Sequence, residues 1–208
     1  MPIITFIRHA ETVYNADKTF AGRIDCELSK KGIRDTIKKF NYKKSDFDVY
    51  YCSPLKRSRD TLNLIIKDID KINIDDRIIE ISIGDWEGKK KESIPKELLE
   101  KYRNGLYTPP NAENSMEVDS RVISFISELF EMFEDNTRIL VVTHNGVMRS
   151  IKRNFVSSYK NVMSDNLESI VLDKNDYNYY LENKKASYYT LRKTLNISKN
   201  LQARKEKN

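Results

Sequence analysis

The side chains able to do chemistry cluster at places far apart in the sequence. The chain has two histidines, and each stands directly after an apolar run. Ile3-Ile4-Thr5-Phe6-Ile7 ends in Arg8-His9, and Arg138-Ile139-Leu140-Val141-Val142-Thr143 ends in His144-Asn145-Gly146. Apolar, β-branched runs without strict alternation read as buried strands. Open α/β sheets form ligand sites just beyond the carboxyl ends of their strands. If the two strands are neighbours in one parallel sheet, both imidazoles open onto the same edge. A lone Arg-His pair is most simply a strand leaving into polar residues, but chance does not readily place both histidines this way. An imidazole, with an unperturbed pKa of ~6.5, is available in its neutral form near neutrality.

A second arginine suggests what those imidazoles would face. Ser53-Pro54 reads as a helix start, with Ser53 as N-cap and Pro54 at the first helical position. Arg57 then lies in the first turn, where free backbone N–H groups and the helix dipole favour an anion. A guanidinium there adds bidentate hydrogen bonds to phosphate oxygens. By itself Arg57 is equally well a solvated side chain on a turn; beside Arg8-His9 a phosphate contact is the better reading.

The elements that position these residues follow from the apolar pattern. Residues 10–29 form a long loop, and loops of that length are usually functional. Ser29 caps a predicted helix over 30–40, with Ile33, Ile37 and Phe40 facing inward. A second strand is predicted over 48–52, followed by the Ser53-Pro54 helix with Leu55, Leu62, Ile65 and Ile66 on its apolar face. Residues 77–81 read as a short extended stretch and 84–88 as a turn-rich loop. Glu80 is the notable acid, because a carboxyl desolvated in an apolar run has a raised pKa, as a proton donor requires. The alternative is a strand-edge Glu80 pointing into solvent.

Further on, 93–104 reads as a charged helix with Leu98, Leu99 and Tyr102 on one side. A longer helix over 115–135 carries Val118, Val122, Phe125, Ile126, Leu129, Phe130 and Phe133 as a core stripe. Asn145-Gly146 opens the helix after the 138–143 strand, carrying Val147, Met148, Ile151 and Phe155. Residues 168–173 and 177–182 flank Lys174-Asn175-Asp176 and look like a β-hairpin. Strand–helix alternation of this kind predicts an α/β fold, a three-layer α/β/α sandwich with a mostly parallel central sheet.

A chain of 208 residues can bury a sizeable core. No run approaches the ~18 apolar residues of a membrane span, and the N-terminus lacks a signal-peptide pattern, so a soluble, cytoplasmic protein is expected. Cys26 and Cys52 have no metal-ligand spacing, and reduced thiols are the default. The Asp, Glu and His placement offers no spaced metal-ligand set either. The net charge of +6 belongs to one end: from Lys184 onward eight basic residues face Glu206 alone, which leaves the rest of the chain nearly neutral. The expected organisation is a domain over 1–183 and a basic extension over 184–208, helical or disordered. That extension is either solvated or able to contact an acidic partner.

Arg8-His9-Ala10-Glu11-Thr12, with Asn15 following, resembles the signature of the histidine phosphatase superfamily, the phosphoglycerate-mutase-like group. Further matches come in the same order: Gly22 to Asp25, Leu28-Ser29 with Gly32, Ser53-Pro54-Leu55 with Arg57 and Thr61, Glu80 with Gly84-Asp85-Trp86-Glu87-Gly88, and Val142-Thr143-His144. The resemblance implies His9 as a nucleophile that forms a phosphohistidine. It implies Glu80 as the acid and then the base, with Arg8, Arg57 and His144 neutralising charge on the phosphoryl oxygens. Asn15 and the backbone of Asn145 and Gly146 are further candidate phosphate contacts, and no metal or cofactor is implied. Two positions depart from the commonest pattern: Ala10 and Asn145 each stand where Gly is more usual.

The resemblance covers phosphatases, which let water take the phosphate, and mutases, which return it to a sugar acid. The short 88–109 segment and Gly84-Asp85-Trp86-Glu87-Gly88-Lys89 resemble the phosphatase branch, so a small phosphorylated metabolite is the expected substrate. Lys89, Lys90 and Lys91 read as a solvated face, with an anionic substrate as the alternative. A regulatory protein that keeps the fold and docks through its tail is the reading of a different class. Oligomeric state is not legible.

Overall fold

The computed structural model describes residues 1–67, 69–156 and 163–184. Five strands form one sheet: β1 (Ile3–Arg8), β2 (Val49–Cys52), β3 (Asn73–Ile74), β4 (Arg138–Thr143) and β5 (Ser169–Leu172), in the order β3-β2-β4-β1-β5. β1 runs parallel to β4, from Ile3 opposite Arg138 to Arg8 opposite Thr143. β2 is parallel to both β3 and β4, and β5 alone is antiparallel, paired to β1. The two strands that end in histidine are therefore neighbours in register.

Helices cover both faces, and the pleat decides which side chain meets which layer. They are α1 (Val13–Ala16), α2 (Lys30–Lys39), α3 (Lys56–Ile65), α4 (Lys96–Arg103), α5 (Ser115–Met132), α6 (Asn145–Phe155) and α7 (174–184). Ile4, Phe6, Ile139 and Val141 face the core built with α5, α6 and α7. Ile7, Leu140 and Val142 face the opposite core, with Leu62, Ile65 and Ile66 from the α3 segment. This is the three-layer α/β/α sandwich. A third, smaller cluster joins Ile83, Trp86 and Ile94 to Phe20, Tyr102 and Tyr107 beyond the sheet edge. Among the described residues no helix is long and apolar enough to cross a membrane.

The helix stripes of α5 and α6 are as the sequence implies: Val118, Val122, Phe125, Ile126, Leu129 and Phe130 are buried, as are Val147, Met148, Ile151 and Phe155. Asn114 caps α5, its Oδ1 accepting from the backbone N–H of Met116 and Glu117 at 2.9 and 3.0 Å. Ser29 caps α2, accepting from Gly32 N–H at 2.9 Å.

Four local expectations are corrected. In α2 the buried face is Gly32 and Thr36, while Ile33 and Ile37 are 38% and 60% exposed. The helix turns this way because Gly32 lies against the Glu11 backbone, where a Cβ would come 2.2 Å from the carbonyl oxygen. The cap of α3 is Leu55, without a side-chain hydrogen bond, and Ser53-Pro54 is the turn before it. Residues 76–78 form a 3₁₀ turn instead of part of a strand, because the Asp75 carboxylate accepts from Arg77 N–H at 2.8 Å. The expected hairpin is a strand and a helix: Asp173 Oδ1 accepts from Asn175 N–H at 2.7 Å and starts α7. Apart from Lys184, the basic extension lies outside the described residues.

Candidate active site

At the carboxyl end of β1 the His9 backbone N–H donates to the Thr143 carbonyl at 2.8 Å, joining the two histidine-bearing strand ends. His9 is 3% exposed, and its Nδ1 lies 2.7 Å from the Ala10 carbonyl oxygen. A carbonyl only accepts, so Nδ1 carries the proton and Nε2 is left with its lone pair. The ring of His144 lies 5.1 Å away, centroid to centroid. His144 Nε2 is 2.6 Å from the Ser53 hydroxyl and 3.2 Å from that of Ser58.

Burial pushes the pKa of His9 well below its ordinary value, and the charges of Arg8 and Arg57 add to the effect. His144 is pushed down in the same way, by burial first and then by Arg57, His9 and Arg8. Both imidazoles are held neutral inside a positive environment, which suits a nucleophile awaiting an anion.

Arg57 is 1% exposed and its terminal nitrogens donate to the carbonyls of Ile24 at 2.9 Å and Gly22 at 2.7 Å. It thus fixes the loop after α1 as well as facing the site. Arg8 Nη1 donates to the Ser164 carbonyl. Three buried nitrogens nevertheless lack a partner among the described residues: Arg8 Nε, Arg57 Nε and His144 Nδ1. Buried polar atoms are rarely left this way, and each calls for an explanation.

Glu80 is half-buried, and its Oε1 accepts from the N–H of Ile81 at 2.9 Å and of Gly146 at 2.8 Å. Its other oxygen makes no hydrogen bond among the described residues. The Gly146 N–H is therefore already committed to Glu80. Asn145 Oδ1 accepts from Ser164 N–H at 3.0 Å, so the amide standing where Gly is usual ties α6 to the 163–168 segment. Asn15 Oδ1 accepts from Thr12 N–H at 3.1 Å and from Asn166 Nδ2 at 3.3 Å.

Arg8, His9, Asn15, Arg57, Glu80, Asn145 and Gly146 all line one cavity of about 410 Å³. His144 is the exception: it stands behind that wall, fully buried against Ser53 and Ser58. Phe20, Tyr102 and Tyr107 give the cavity an aromatic side, and Lys91 also reaches it. Lys91 is thus no solvated side chain: burial lowers its pKa, and Arg8, Arg103 and Lys18 lower it further. Sequence reasoning passed over Ser58, Glu113 and Arg121, and took in Arg23 only as part of the Gly22 to Asp25 match, without a role. Ser58 carries no signal, being one polar residue in an amphipathic helix. Among the described residues no group of three or more His, Cys, Asp or Glu side chains could hold a metal ion.

The chain belongs to the histidine phosphatase superfamily (branch 1), whose profile matches residues 4–182. It is 30% identical over 156 residues to phosphoserine phosphatase 1 of Hydrogenobacter thermophilus, covering 71% of this chain and 73% of the relative. It is 26% identical over 161 residues to the 2,3-bisphosphoglycerate-dependent phosphoglycerate mutase of Cytophaga hutchinsonii, covering 73% of this chain and 76% of that one. A mycobacterial glucosyl-3-phosphoglycerate phosphatase shares the fold, with a TM-score of 0.71 at 19% identity over 82% of this chain and 92% of its own. The relatives thus include both phosphatases and phosphoglycerate mutases.

Proposed function

We propose that the protein is a metal-independent phosphomonoesterase that works through a phosphohistidine on His9 and acts on a small phosphorylated metabolite. The observation that carries this reading is the Nδ1-tethered His9, held neutral by burial, on one cavity wall with Arg8, Arg57 and Glu80. The two arginines bring positive donors to the wall beside His9, and a phosphoryl group, whose transferring charge needs preorganised donors, suits them. Nε2 of His9 attacks phosphorus, the N–P bond forms and the P–O ester bond breaks. Glu80 gives its proton to the leaving alkoxide. Water then attacks the phosphohistidine, Glu80 takes a proton from it, and phosphate leaves with the imidazole restored. Arg8 and Arg57 hold the phosphoryl oxygens, and His144 backs the nucleophile, its ring 5.1 Å from that of His9.

The mutase reading is kept because a relative of similar identity carries that name. The short stretch between Gly88 and Pro109 favours the phosphatase. The test is phosphate release from aryl, sugar, amino-acid and nucleoside monophosphates in the presence of a chelator, beside His9→Ala. Turnover that disappears in His9→Ala supports the reading, whereas turnover that persists refutes it. Isomerisation of 3-phosphoglycerate primed by 2,3-bisphosphoglycerate, without phosphate release, would assign the mutase instead.

A further inference from the structure

The stretch that carries Glu80 is held in an unusual way. Residues 77–80 lie outside the sheet, so their carbonyls have no ladder partners. Instead each accepts from a side chain. Arg121 Nη1 donates to the carbonyls of Arg77 and Ile79, both at 2.7 Å. Thr143 Oγ1 donates to the Ile78 carbonyl at 2.8 Å. Arg23 Nε donates to the carbonyl of Glu80 itself at 3.0 Å. The two arginines meet on one carboxylate: Arg121 grips Glu113 with a fork of 2.7 and 3.0 Å, and Arg23 Nη2 donates to the same group at 3.2 Å. Glu113 also donates its backbone N–H to the Ser82 carbonyl at 3.0 Å.

We propose that Glu113, with Arg121 and Arg23, is a positioning device that sets where the Glu80 carboxyl stands relative to His9. Glu113 orients both guanidiniums, and these fix the backbone on either side of Glu80. Arg121 and Glu113 are only 16% and 13% exposed, so their geometry is locked by packing as well as by charge. The bidentate fork defines the direction of Arg121 Nη1, which a lysine ammonium does not reproduce. A proton donor displaced by about 1 Å can lose on the order of a hundredfold in rate.

This inference rests on the reading of Glu80 as the proton donor, and a leaving-group comparison separates the two. A 4-nitrophenolate leaves without help, while an alkoxide needs the proton. The measurement is kcat/KM for 4-nitrophenyl phosphate and for an alkyl phosphate that the wild type hydrolyses. Glu80→Gln is expected to lose about 10²–10⁴ on the alkyl ester and far less on the aryl ester. Glu113→Gln and Arg121→Lys are expected to show the same selective loss, with the alkyl-to-aryl ratio falling about tenfold or more. Arg23→Met, at a guanidinium 40% exposed, should lower the ratio less and keeps the test open if the buried variants do not fold. Equal losses on both esters in these three variants, beside a selective loss in Glu80→Gln, would overturn the positioning role. A non-selective Glu80→Gln would overturn the reading of Glu80, and the inference with it.

Discussion

The two neutral, buried histidines tie the stability of the fold to pH. Both have pKa values pushed well below their ordinary value by burial and by neighbouring positive charge. In the unfolded chain each would titrate near ~6.5. Below that value the unfolded state binds protons that the native state refuses, so stability is fully present above ~6.5 and is lost as pH falls from there towards the native-state pKa. As pH falls through ~6.5 the loss is on the order of 1 kcal/mol for each histidine. The assay is urea denaturation across that range in phosphate-free buffer, because phosphate would bind and stabilise the native state. His9→Asn and His144→Asn should each reduce the pH dependence by roughly 1 kcal/mol, since the carboxylates common to all three proteins cancel in the difference. An unchanged pH dependence in both variants would mean that the imidazoles accept protons in the native state, and the account of a neutral nucleophile would fail. The same reasoning predicts that the acid limb of kcat/KM falls below ~6.5, because His9 stays unprotonated there.

Gly146→Ala places a Cβ 2.5 Å from Glu80 Oε1 and 2.9 Å from Ile81 Cγ2, so the carboxyl must move. Alanine suits the first turn of a helix, so kcat/KM for an alkyl phosphate should fall by about 10²-fold while urea stability changes by less than ~1 kcal/mol; retained activity would refute the placement of Glu80. Ser53→Ala removes the 2.6 Å partner of His144 Nε2 and leaves only the longer Ser58 contact. It should cost about 1–3 kcal/mol by urea denaturation. Tyr177→Ala removes a ring stacked on Phe130 at 4.5 Å and 13°. A loss of about 3 kcal/mol is expected by urea denaturation, and a loss below ~1 would mean that α7 is not part of the core.

The sheet was legible where the chain is buried on both faces. β1 and β4 read as continuous β-branched runs because helices cover them above and below. Where one face had to be chosen, hydrophobicity misled. Ile33 and Ile37 look like the inner side of α2, yet contact with the Glu11 backbone needs a residue without a side chain, and Gly32 turns the helix accordingly. Tyr177, Tyr179 and Tyr180 look like strand residues by propensity. The stacking of Tyr177 on Phe130 and of Tyr180 on Phe155 requires an i, i+3 spacing, and that packing selects the helix, leaving Tyr179 exposed. Such choices depend on partners more than 20 residues away, which no local window contains.

The candidate site divides along the same line. Residues on the cavity wall stand at strand ends and helix starts, in short stretches whose order alone suggested the family. The groups that hold the Glu80 stretch come from three separate places, Arg23 in a loop, Glu113 before α5 on the cavity wall and Arg121 within α5, and Glu113 and Arg121 each read locally as an ordinary surface charge. Only the fold reveals that they meet. A largely buried Arg–Glu pair is weak as a source of stability, because desolvation offsets much of its attraction. Four nearby carbonyls, however, depend on side-chain donors, two on Arg121, one on Thr143 and one on Arg23. What such a pair supplies well is direction, since a fork fixed at both nitrogens cannot swing. A stretch without ladder hydrogen bonds that must still hold a carboxyl in place has use for that property, and this is why substitutions there should change leaving-group selectivity more than they change the free energy of unfolding.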